Sequence, residues 1–171
     1  QQQQQQQRAP ASEAQCRLRV HPQQGAGVDL SATIWGMRVD GIEESPGQPE
    51  LRPGLIVTSI NGVRLDSICA PGASEEETEA VSDAFGGQFG NAALLTVATP
   101  VSQNIELPQQ CMSWGETFPQ DIQMMGDKFG VAASVVAQQQ HRPFLELRGH
   151  PKGVALAQEE LQQLLRFYLG G

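Results

Sequence analysis

The chain is predicted to be an α+β protein built from two small units in tandem, and three observations carry the prediction. Short runs of apolar and β-branched residues, too short for helices, are punctuated by Pro53-Gly54 and Asn61-Gly62. Three separate stretches space their apolar residues as helices do, near 74–87, 118–129 and 151–168. Pro100 closes the last strand candidate of the first group, which places the units at 15–100 and 103–171.

Composition bounds what these units do. With 171 residues and 39% hydrophobic content, each unit can bury only a small core. The net charge is −8, and it is uneven: residues 1–102 hold six arginines against twelve acids, whereas 103–171 holds five bases against seven acids. A general binder of phosphate backbones needs clustered Lys and Arg, so that class is disfavoured for the chain as a whole. Cys16, Cys69 and Cys111 are odd in number, far apart and without a Cys-x-x-Cys pair. They therefore read as reduced, buried thiols, and no metal or other cofactor is implied. No run of 18 apolar residues predicts a membrane span. The start lacks a charged-then-apolar layout, so an intracellular, cytoplasmic location is expected, for a chain whose missing initiator methionine suggests a fragment.

Taken in order, Gln1–Gln7 is low complexity, and residues 1–14 read as a disordered Gln-rich leader. Cys16–Val20 alternates as a half-buried first strand. After the His21–Gln24 loop, Gly25-Ala26-Gly27 leads into a second strand over Val28–Ile34, and a third runs over Met37–Ile42. Glu43 to Pro49 is a loop, where the paired acids Glu43 and Glu44 read as a solvated face. Leu55–Ile60 is a buried strand. Asn61-Gly62 is a type I′ hairpin signal, and Val63 and Leu65 pair back. Ser74 with Glu77 makes a capping box, and Ala80, Val81 and Ala84 form the apolar face of a helix that Gly86-Gly87 ends. Ala92–Ala98 is the closing strand.

In the second unit Ile105–Pro108 is a short strand, and a helix carries Ile122, Met125 and Phe129 on one face before Gly130 ends it. Val131–Val136 and Phe144–Leu147 are strands separated by the loop 138–143. Pro151 opens a last helix with the stripe Val154, Ala157, Leu161, Leu164, Leu165 and Tyr168.

Two family resemblances follow. Leu51, Pro53, Gly54, Ile60, Asn61, Gly62 and Val63 match the central segment of the PDZ family, with Leu55 where that family usually has aspartate. The resemblance implies a partly open β-barrel or sandwich with a groove-lining helix. Gly25, Ala26, Gly27, Val28, Asp29 and Leu30 then stand at the carboxylate-binding loop and the strand after it; read alone they fit an ordinary glycine-rich turn better, and their placement before the PDZ-like segment brings the two readings level. Glu77 falls at the helix start, where histidine serves one subclass, with Val81 and Ala84 facing the groove. The implied function is capture of a peptide C-terminus or internal strand by β-augmentation, without catalysis.

The β-α-α-β-β-α order of residues 103–171, with Leu147, Gly149, Val154, Ala157 and Leu161, resembles a type I KH domain, a three-stranded sheet packed on helices. That family grips RNA through a Gly-x-x-Gly loop. The corresponding Trp114-Gly115-Glu116-Thr117-Phe118-Pro119 keeps one glycine and no base. RNA binding, with Trp114, Gly115 and Phe118 as candidate contacts, is thus the second expectation, while core packing is the use that a small domain favours for Trp114 and Phe118. His21, His141 and His150 lie in loops with no neighbouring nucleophile motif.

Overall fold

The computed structural model describes residues 13–138 and 140–170. Most of the expected Gln-rich leader lies outside them. The chain divides into two compact units, Gln1–Pro100 and Val101–Gly171. Both sheets are antiparallel, so the α+β class holds.

The strands of the first unit are β1 (Glu13–Arg17), β2 (Val28–Thr33), β3 (Gly36–Ile42), β4 (Ile56–Ile60), β5 (Val63–Arg64) and β6 (Leu94–Ala98), with helix α1 over Glu75–Gln88. Their order is β1-β6-β4-β3-β2, and β5 pairs β4 beside this path. Among the described residues the sheet stays open and forms no closed barrel. The first strand starts three residues before Cys16, inside the stretch read as leader. Its start is set by its partner, because Glu13 pairs Ala98, the last residue of β6.

Local chemistry explains the turns. Asn61 and Gly62 both have positive φ, the type I′ geometry that returns β5 along β4. Asn61 also ties the hairpin to the closing strand, accepting from the Leu94 N–H at 2.8 Å while its own N–H donates to the Leu94 carbonyl at 2.7 Å. Ser74 caps α1 by accepting from the Glu77 N–H, and the Glu77 carboxylate accepts from the Ser74 N–H. The helix packs on β2, β3 and β4. Its buried face is Val81 and Phe85, which corrects the expected set: Ala80 is exposed and Ala84 half-buried. These side chains close a core with Val39, Leu55, Val57, Ile60, Leu65 and Leu95.

In the second unit β7 (Val101–Glu106), β8 (Ala132–Val136) and β9 (Phe144–Gly149) form a sheet of order β7-β9-β8. Its helices are α2 (Thr117–Phe129) and α3 (Pro151–Tyr168). β7 is longer than expected and starts at Val101, directly after Pro100, because it pairs β9 along its whole length. The element after β7 is a five-residue 3-10 turn, Gln109–Ser113, rather than a full helix. Gly130, with φ +65°, ends α2 in the left-handed conformation. Phe118, Ile122, Met125 and Phe129 from α2 meet Val154, Ala157 and Leu161 from α3 over Leu145 and Leu147. No helix among the described residues is long and apolar enough to cross a membrane.

Candidate functional site

The feature that gathers most of the first unit's candidate residues is the outer edge of β2 and the loop that feeds it. Among the described residues β2 is the end strand of its sheet, paired with β3 on one side only. An end strand presents unpaired backbone groups along its outer margin, a template for another strand. Its apolar row, Val28, Leu30 and Ala32, packs against the core yet stays only half-buried, whereas every residue of the central strand β4 is buried. Val28 thus touches the same core that encloses Val81.

The lead-in loop is held in shape from within and from across the chain. His21 and Gly25 exchange two backbone hydrogen bonds of 2.9 Å, and the His21 Nδ1 accepts from the N–H groups of Gln23 and Gln24 at 3.1 Å. Gly25 and Gly27 have φ of +75° and +65°, conformations that favour glycine. At Gly27 an added Cβ would also meet the Ser45 carbonyl oxygen at 3.0 Å. The Gly27 carbonyl accepts from the Glu43 N–H at 2.7 Å. Among the described residues the N–H groups of Ala26 and Gly27 have no hydrogen-bond acceptor. Two successive N–H donors are the element from which a backbone anion site is built, with Ala26 itself buried against the core.

Gln48 is the residue that sequence reasoning missed. Its side chain is buried and reaches back across the chain: Nε2 donates to the Arg19 carbonyl at 2.6 Å and the Ala26 carbonyl at 2.8 Å, while Oε1 accepts from the Arg19 N–H at 3.0 Å. One amide therefore pins both the strand exit and the loop. Its partners lie 22 and 29 residues away, so nothing local could have marked it.

The remaining first-unit candidates have mixed placements. Asp29 is exposed and pairs Gly41, with a register shift between Asp29 and Leu30. The Glu77 side chain is engaged in its cap, and the Glu77 carbonyl accepts from the Cys69 Sγ at 3.3 Å. Burial pushes the Cys69 thiol up, and the nearby Glu77 charge adds to this. Val81 is fully buried and supports the site from inside the core rather than lining an open groove. Ala84 is half-buried at its margin. On the solvent side of β2 the Ser31 hydroxyl donates to Asp40. That bond, and secondarily the Arg38 guanidinium 2.8 Å away, holds the Asp40 carboxyl below its ordinary range.

The second-unit candidates turn toward their own core. Phe118 is 1% exposed and packs edge-on to Trp114 and Tyr168, at 4.9 and 5.2 Å between ring centroids. It presents no face to a base, so of the two uses weighed for Phe118 the favoured one, core packing, is the one seen. Trp114 stacks one face on Tyr168 at 4.9 Å. Gly115 is exposed with φ +76°, and Glu116 precedes α2. No three His, Cys, Asp or Glu side chains gather as a metal site requires among the described residues. Comparison with known proteins returns no matching family model, no matching curated protein and no matching solved structure.

Proposed function

We propose that residues 15–100 form a PDZ-like interaction module that captures an extended peptide along the outer edge of β2, with residues 103–171 as a KH-like accessory unit and no catalysis in either. The observation that carries this reading is the pairing of an open strand edge with a glycine loop whose Ala26 and Gly27 N–H groups are unpartnered among the described residues. Added strands take their affinity from main-chain hydrogen bonds and their selectivity from alternate side chains. The half-buried row Val28, Leu30 and Ala32 supplies apolar contact for such side chains. The open N–H pair would receive a terminal carboxylate.

The test is a library of free-acid C-terminal peptides and amidated internal peptides, screened against the chain and against Val28→Asp. Hits that are lost in the variant, with its circular dichroism spectrum retained, support docking at β2. Free-acid peptides losing affinity on amidation would assign the carboxylate to the loop. An absence of hits in both peptide classes sinks the proposal. RNA binding through residues 103–171 loses support from the burial of Phe118 and the covered face of Trp114. Salt-dependent binding of RNA homopolymers would restore it.

A further inference from the structure

His21 opens the lead-in loop, and its ring is part of what holds that loop in shape. Two backbone N–H groups, those of Gln23 and Gln24, point at a single atom, the Nδ1 of His21, each at 3.1 Å. A ring nitrogen accepts only while it carries no proton, so this arrangement requires the neutral imidazole with its hydrogen on Nε2. The ring does here what an Asn or Asp side chain does at the start of a turn. The same segment is closed by the paired backbone bonds between His21 and Gly25, and Gln24 is tied to Ser45 across the chain. Gly25 leads at once into Ala26 and Gly27. The direction of their N–H groups is therefore set by the loop that the His21 ring completes.

Imidazole is the side chain whose charge changes between about pH 5 and 8. A proton on Nδ1 would set a third N–H against the two that already point there, and both would lose their acceptor. The charged groups on the surrounding elements are Arg17 and Arg19 before the loop, Asp29 on β2, and Glu43, Glu44 and Glu50 on the chain that Gln24 and Gly27 bond to. All are exposed, and among the described residues none forms an ion pair with His21. Resting on the reading of this loop as the carboxylate holder, we propose that His21 makes peptide capture pH-dependent: its neutral ring keeps the loop in the shape that presents the Ala26 and Gly27 N–H groups, and its protonation releases that shape and the carboxylate with it. His21 is thus a positioning residue. A cationic ring would also draw a carboxylate by charge alone, but a screened, half-exposed charge is worth about fivefold at most. Loss of the loop's shape outweighs that attraction, so binding weakens as pH falls.

The probe is the tightest histidine-free, free-acid peptide from the library, together with its amidated twin. Each is titrated into the full chain by fluorescence anisotropy at about pH 7.5, 6.5 and 5.5, a range in which a terminal carboxylate stays ionised. The free-acid peptide is expected to bind about tenfold more weakly at the lowest pH than at the highest, because an ordinary imidazole is then about one-tenth neutral. The amidated peptide, held by strand pairing alone, should show no such fall. In His21→Asn the side-chain oxygen stands where Nδ1 stood, accepts from the same N–H groups and does not titrate, so its profile should be flat. His21→Ala should bind at every pH as weakly as the unaltered chain does in acid. Affinity that is level, or that rises toward acid, in the unaltered chain overturns the switch and leaves peptide capture standing. A fall that persists in His21→Asn, or that the amidated peptide shares, overturns its assignment to the His21 ring. A circular dichroism spectrum lost toward acid makes the fall an unfolding event and overturns the switch as well. Failure of every free-acid peptide to bind at any pH overturns the docking reading, and this inference with it.

Discussion

At Gly36 a side chain has nowhere to go. The backbone there has φ +134°, and a Cβ would lie 2.0 Å from the Val57 carbonyl oxygen of the neighbouring strand. The turn between β2 and β3 therefore depends on this glycine for both its conformation and its clearance. Gly36→Ala is expected to cost about 3 kcal/mol or more, read as a lower midpoint in urea denaturation. Tyr168 offers a second test. Its hydroxyl donates to the Asp121 carboxylate at 2.5 Å, and that bond, with burial and the Asp121 charge, pushes the phenol up to about 12 from its ordinary 10. The folded state holds a proton that the unfolded chain releases, so this contribution is complete below pH 10 and is lost as pH rises toward 12. Thermal melts across that window should show a falling limb, and Tyr168→Phe should remove it. An unchanged limb in the variant would dismiss the Tyr168–Asp121 bond as its cause.

Elements show which features follow from neighbours in sequence and which from neighbours in space. The α1 cap is entirely local, since Ser74 and Glu77 satisfy each other within one turn. Ser74→Ala should destabilise the first unit by about 1 kcal/mol in chemical denaturation. That start was legible in the sequence because both partners sit at fixed spacing. The buried face of α1 was only half legible: helical spacing puts 81, 84 and 85 close together, but the sheet beneath selects Val81 and Phe85 and leaves Ala84 at the margin. The lead-in loop was least legible of all. Its glycines were visible, yet the Gln48 amide that braces it comes from a distant loop. Gln48→Ala would leave the Ala26 and Arg19 backbone groups it serves without partners, at about 1–3 kcal/mol. If that brace shapes the site, peptide affinity should drop by more than the stability change predicts for a protein still folded at the assay temperature. An affinity that stays level would limit Gln48 to a structural role.

For the whole molecule, the two core clusters share no residue. Ile60 is fully buried in the first, and Leu147 is fully buried in the second. Truncating either to Ala leaves a cavity worth about 2–5 kcal/mol. Ile60→Ala should lower the melting transition of the first unit only, and Leu147→Ala that of the second, as separated by calorimetry. A common shift would mean that the two cores unfold as one cooperative body.

What the sequence determined by itself was everything encoded within about one turn of helix or one hairpin: the type I′ turn at Asn61-Gly62, the α1 cap, the stop at Gly130, and the stripes of α2 and α3. These depend on backbone preference and side-chain period, which act over a few residues. Tertiary structure alone decided where β1 and β7 begin, that Phe85 rather than Ala80 or Ala84 completes the buried face of α1, and the reach of Gln48 to the loop. Those outcomes turn on partners tens of residues away, whose contribution exists only once the chain has folded and excluded water between them.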